Sequence, residues 1–183
     1  MMKALLASFA LAALPAAALS QSAGSGDWNV GGNSLGCMAH TSLPQGTVVS
    51  VIAGRGQESL LFVVQNKGWS SLEDGSVYPL AVQLDGQSPF EFKAVAKTEL
   101  DGDGPGLFFS VQPGEEDGKR FIEAFARSAG MSLGQNGRSL ASLRLSGGSS
   151  AMTALAQCMS HMWSGGEGDA EEIVGANGKS VSL

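Results

Sequence analysis

Apolar and polar residues alternate along much of this chain, mostly with a period of two. Val48 to Ile52 and Leu60 to Val64 are short β-rich apolar runs, and the Gly54-Arg55-Gly56 turn between them predicts a hairpin. Leu80, Val82 and Leu84 alternate with Pro79, Ala81 and Gln83. After an Asp85-Gly86 turn, Phe90, Phe92 and Ala94 alternate with Glu91 and Lys93. One buried and one wet face is the signature of an antiparallel sheet. Pro79 has no N–H for a ladder, which predicts a position near a strand start or edge. Leu107, Phe109 and Val111 predict another strand, and Ala141, Leu143 and Leu145 a later one.

Two stretches switch to helical spacing. From about Asp117 to Ala129, Phe121, Ile122 and Phe125 share one face while Glu123 and Arg127 pair at i,i+4 on the other. Glu115, Glu116 and Asp117 suit the positive end of that helix, and Gly130 is its expected stop. A second helix is expected from about Ser150 to Met162, capped by Ser149 or Ser150, with Met152, Leu155, Met159 and Met162 as its apolar stripe. A strand meander, a helix, a strand and a helix make an α+β fold. An antiparallel meander or sandwich is expected, with two helices packed on it.

The ends of the chain differ in composition from this body. Lys3, an apolar run from Ala4 to Leu14, Pro15 and the small-residue site Ala18-Leu19-Ser20 read as a secretory signal peptide over residues 1–20. Its apolar core is shorter than the ~20 residues a bilayer requires, and no later stretch is suited to spanning one. Residues 21–27 form a Gly/Ser-rich leader, 28–163 a single domain, and 164–183 an acidic, Gly-rich tail expected to stay flexible. The expected destination is the periplasm, or full secretion. Loss of Lys3 from 11 basic residues leaves 10 against 17 acidic ones, a formal charge of −7. With no basic cluster, nucleic acid and anionic lipid are poor partners.

The candidate chemistry is concentrated in two tetrads, Cys37-Met38-Ala39-His40 and Cys158-Met159-Ser160-His161, which hold every cysteine and histidine of the chain. In an oxidising compartment two cysteines pair in one way, so a Cys37–Cys158 disulfide is expected. It would close a loop of roughly 120 residues, for which chain entropy allows about 4–5 kcal/mol. The competing reading is a copper or zinc site. Cys158, His161 and Met162 stand at i, i+3 and i+4 on a helix, with Cys37 and His40 as further ligands. Against four ligands, residues three apart on a regular strand point to opposite sides of the sheet.

Other motifs fit less well. Gly32-Asn33-Ser34-Leu35-Gly36 has the spacing of a nucleophile elbow, but no helix pattern follows it. With 26 glycines in the chain, a plain turn explains the match. Asp101-Gly102-Asp103-Gly104 begins like a calcium loop, yet the fifth and twelfth positions are Pro105 and Gln112. Gly178-Lys179-Ser180 lacks the upstream glycine of a phosphate loop. Glu73-Asp74 and Glu115-Glu116-Asp117 read as solvated turn and helix-start acids. No catalytic set is assigned.

The run Leu143-Arg144-Leu145-Ser146-Gly147-Gly148-Ser149-Ser150-Ala151-Met152, continuing to Leu155 and Cys158, is the most family-like text. Together with Trp28, Cys37 and the strands through Asp85-Gly86, it resembles small exported bacterial envelope proteins of the invasion-associated locus B-like family. The resemblance implies an exported β-rich domain without assigned catalytic residues. The expected function is therefore non-catalytic: binding an envelope protein or small ligand, or a structural role. Periplasmic copper or zinc binding is the alternative.

Overall fold

A computed structural model describes residues 28–98 and 104–164. The segments expected to be a signal peptide and a leader, the first three residues of the calcium-like loop and all of the expected tail beyond Ser164 lie outside the described residues.

Nine strands and two helices follow in the order β1 (Asn29–Asn33), β2 (Gly36–Leu43), β3 (Thr47–Gly54), β4 (Leu60–Asn66), β5 (Val77–Leu84), β6 (Phe90–Lys97), β7 (Gly106–Val111), α1 (Glu116–Arg127), β8 (Gly130–Gln135), β9 (Arg138–Arg144) and α2 (Gly148–Trp163). A short 3₁₀ turn, Pro44–Gly46, joins β2 to β3. All nine strands form one antiparallel sheet in the order β1-β2-β3-β4-β7-β6-β5-β8-β9. The expected α+β fold is therefore present, as a single sheet with both helices on one face.

The sheet is strongly curled. Laid flat, nine strands would separate β1 from β9 by about 38 Å, at ~4.8 Å per strand. Yet the indole Nε1–H of Trp28, one residue before β1, donates to the carbonyl of Ser146, two residues after β9, at 2.8 Å. Three residues and an indole reach only about 15 Å. The two edges must therefore bend toward each other around the inner face.

That inner face holds the core. Ala39, Val51, Phe62, Phe109 and Ala96 point inward from five adjacent strands, all at most 1% exposed. From α1, Phe121 and Phe125 are buried and meet the Phe62 ring edge-on, each at 5.1 Å between centroids, while Phe62 stacks on Phe109 at 5.4 Å. Such pairs add about 0.5–1.5 kcal/mol beyond the area they bury. α1 is thus anchored by aromatic rings in the hollow of the sheet.

Several local expectations change. β1 carries one buried apolar residue, Val30, and β8 only Met131 and Leu133, so neither stands out as a strand in the sequence. Gly130 opens β8 rather than stopping α1. The helix ends instead where Ser128 turns extended, and the Asp85 carboxylate accepts the next two backbone N–H groups, Ala129 at 3.0 Å and Gly130 at 2.7 Å. The cap of α2 is Gly147, in the left-handed region at φ 76°, not a serine. Pro79 falls in the half of β5 that pairs with β6 alone, since β8 joins only from Ala81 onward, so its missing N–H interrupts no inner ladder.

Candidate functional site

Cys37 and Cys158 form a disulfide, with their Cα atoms 6.1 Å apart. Both are buried, and the bond fastens β2 to α2. Gly32 provides the room. It pairs with Cys37 across the β1–β2 hairpin, and a Cβ there would lie 2.7 Å from the Cys158 sulfur. The rest of α2 follows from the same contact. Ala151, Leu155, Cys158 and Met159 form its buried stripe at helical spacing, against β1 and β2.

The metal set of the sequence is not assembled. Both thiolates are consumed in the disulfide. β2 is a regular strand, so Cys37, Ala39, Thr41 and Leu43 face inward and His40 faces outward. On α2, His161 and Met162 lie about 60° and 40° to opposite sides of Cys158 around the helix axis. His161 is accordingly exposed, while Met162 packs against the core. Among the described residues no three His, Cys, Asp or Glu side chains converge in a metal-holding group.

The remaining candidates stand alone. Ser34 sits in the exposed two-residue turn between β1 and β2, where Asn33 Oδ1 accepts the Leu35 N–H at 2.9 Å and no helix follows. That is a side-chain-supported turn, not a nucleophile elbow. Asp74 accepts the Thr98 N–H at 3.1 Å and meets Lys97 Nζ at 3.4 Å. The Thr98 N–H above all holds the Asp74 carboxyl below its usual range; partial desolvation opposes it, and the Lys97 charge lowers it further. Asp117 pairs with Arg120 on the first turn of α1.

Among the described residues, a groove between α1 and α2, about 610 Å³ in volume, has the shape of a site. Ile122 and Ala126 line it from α1, and Met152, Ala156, Gln157 and His161 from α2. A small residue sets the helices' approach: a Cβ on Gly148 would lie 3.1 Å from the Phe125 carbonyl, so the start of α2 rests directly on the end of α1. The Thr153 and Ser160 hydroxyls donate back to the carbonyls of Ser149 and Ala156, both at 2.9 Å. The remaining side-chain polar groups of the lining are the Ser149 hydroxyl, the Gln157 amide and the His161 imidazole, beside the apolar Ile122 and Met152. Sequence reasoning identified His161 but missed the rest. The available signal was a second small or apolar stripe on each helix, Ile122 with Ala126 and Met152 with Ala156, each at i,i+4.

No protein-family model matches the chain, and neither does any curated protein or solved structure.

Proposed function

We propose that this chain is an exported, non-catalytic binding protein of the bacterial envelope, and that the α1–α2 groove receives its ligand. The observation that carries the reading is the groove itself: about 610 Å³, within the roughly 300–1,000 Å³ of small-molecule sites. Its apolar side chains and its hydroxyl, amide and imidazole suit a small amphipathic molecule, with an apolar body on Ile122 and Met152 and a hydrogen-bonding head at Gln157 and His161. Export is supported by the Lys3–Ser20 segment and by a disulfide of the kind that persists in oxidising compartments. The resemblance to invasion-associated locus B-like proteins points to the same setting.

The test uses N-phenyl-1-naphthylamine, an uncharged apolar dye, with the disulfide-bonded mature protein. Saturable fluorescence enhancement at one site per chain is expected, and Ala156→Trp, at an exposed position of the groove wall, should abolish it. Unsaturable binding, or saturable binding indifferent to Ala156→Trp, overturns the assignment. Cell fractionation with N-terminal sequencing tests export separately: absence from the periplasmic fraction and the medium refutes export, and an intact Met1 refutes cleavage of the leader.

A further inference from the structure

Two turns of this fold share one dipeptide pattern and are held in different ways. Asp85-Gly86 and Asn136-Gly137 each place two consecutive residues at positive φ, 44° and 74° in the first and 49° and 75° in the second. That is the type I′ turn, whose twist suits a hairpin. In both, a side-chain carbonyl carbon stands within ring-closing distance along the chain of a glycine nitrogen, and glycine has no Cβ to obstruct the approach. Attack of that nitrogen on Cγ closes a five-membered succinimide.

At Asp85 the electrophile is occupied. Its two carboxylate oxygens accept the Ala129 and Gly130 N–H groups at 3.0 and 2.7 Å. Asn136 is exposed, as are the four residues after it, and a Cβ on Gly137 would meet nothing within 4 Å, so water has free access. This turn joins β8 to β9, the last strand of the sheet. The ladder beneath it is short. Register shifts between Leu133 and Gly134, so Leu140 has no partner and only the pairs Gly134–Ser139 and Gln135–Arg138 lie beyond the shift. On its other side β8 pairs with β5 no further than Gly134. The tip from Gln135 to Arg138 therefore has no third strand beside it.

The closed turn opposes the reaction. In the left-handed region Cβ lies close to the carbonyl oxygen that follows it. The peptide carbon is planar, so the Gly137 nitrogen points to the opposite side, away from the Asn136 Cγ. Ring closure needs roughly half a turn about the Asn136 Cα–C bond, which a two-residue loop between paired strands does not permit.

We propose that Asn136 is a self-modification site controlled by its own hairpin, inert while the turn is closed and deamidated by water when the tip frays. In the open tip a base removes the Gly137 N–H proton and the nitrogen bonds to the Asn136 Cγ. The Cγ–Nδ2 bond breaks and ammonia leaves. Water then opens the succinimide at either carbonyl, giving aspartate or isoaspartate. The sum is amide plus water to acid plus ammonia, with no oxidant and no enzyme. Isoaspartate adds a methylene to the backbone of a loop built for two residues, so that product cannot re-form the turn. The pairs beyond the Leu140 irregularity then stay open, a one-way change at the edge of the sheet.

Incubating the disulfide-bonded mature protein in mildly alkaline buffer, followed by tryptic mass spectrometry, tests this. The peptide Ser128–Arg138 holds Asn136 as its one asparagine, apart from Asn177-Gly178, which lies outside the described residues. Conversion is expected to be about 10- to 100-fold slower than in the reduced chain in guanidinium, the deficit of a locally opening tip. Gly134→Ala, whose Cβ would come no closer than 3.4 Å to a neighbour, should strengthen the strand and slow conversion a further ~2- to 5-fold. Isoaspartyl methyltransferase labelling of the folded protein should find no isoaspartate at Asp85. Conversion as fast as in the unfolded chain denies the protection and overturns the inference. So does conversion about 1,000-fold slower or more, which belongs to global unfolding. A rate that Gly134→Ala does not lower, or equal isoaspartate at Asp85, overturns it as well.

Discussion

Gly32 offers the sharpest test of how the domain is held together. It is not among the residues with positive φ, so backbone freedom does not explain a glycine there. Space does. An alanine methyl would lie 2.7 Å from the Cys158 sulfur, 3.1 Å from the Cys37 sulfur and 3.2 Å from the Gly36 carbonyl. Each sulfur is tethered to the other, so neither can rotate away. Gly32→Ala should therefore cost about 1–3 kcal/mol, the range for overpacking. Cys37→Ala/Cys158→Ala alone releases a constraint spanning 121 positions, for which chain entropy gives a ceiling of about 5 kcal/mol. In that background the sulfurs are gone, and alanine in a strand is better than glycine by about 0.5–1 kcal/mol. Gly32→Ala should then be neutral or stabilising, for a coupling energy of about 2 kcal/mol between the site and the disulfide. Urea unfolding of the four proteins without reductant measures it. A coupling near zero, or an alanine equally costly with and without the disulfide, refutes the packing argument.

Two further predictions concern the connections of the sheet. Asp85→Ala removes the acceptor of the Ala129 and Gly130 N–H groups and should lower stability by about 1–3 kcal/mol. Asp85→Asn, which tolerates the positive φ of 44° and keeps one acceptor, should cost less, and equal losses in denaturant melts count against the cap. For Asp74 the folded pKa is lowered below 3.8, chiefly by the Thr98 N–H. The sign follows: its stabilisation is fully present above the unfolded value and is lost as pH falls through the lower folded value. Carboxyl-carbon NMR should give a midpoint under 3.8, and Thr98→Pro, which deletes the donor, should raise it. A midpoint at or above 3.8 in the native protein contradicts the assignment.

What could be read in the sequence was whatever local spacing or counting determines. The disulfide followed from there being two cysteines and an export-like N-terminus. The amphipathic strands around Leu80 and Phe92 and the stripe Phe121-Phe125 followed from periodicity. What escaped depends on partners distant in the chain. β1, with Val30 as its one buried apolar side chain, is a strand because β2 pairs it and because Gly32 must clear the sulfurs. The end of α1 is decided by Asp85, 44 positions upstream, so Gly130 looked like the stop. Ser149 and Ser150 were reasonable caps for α2, but the helix starts two residues earlier, where Gly148 can rest on the Phe125 carbonyl. The groove was invisible for the same reason. Its walls are ordinary alanines, serines and a methionine until two helices far apart in the chain are laid side by side.

The disulfide and the groove share one helix, and this ties the architecture to the proposed function. α2 is the last element described, and apart from the disulfide it buries Ala151, Leu155 and Met159 in the core, with Met152, Ala154 and Met162 partly buried against it and no aromatic ring among them. α1, in contrast, is wedged by two phenylalanines among the rings of Phe62, Phe92 and Phe109. One wall of the groove is therefore set by aromatic packing and the other by a covalent tie to β2. The tie matters because a groove of stacked side chains has no rigid floor of its own: its width is the spacing of two helices. Holding Cys158 against β2 fixes the rotation of α2 about its axis, and with it the direction in which Gln157 and His161 point. On this reading the sulfurs perform no chemistry toward a ligand. Under the proposed function they set which face of α2 a ligand would meet.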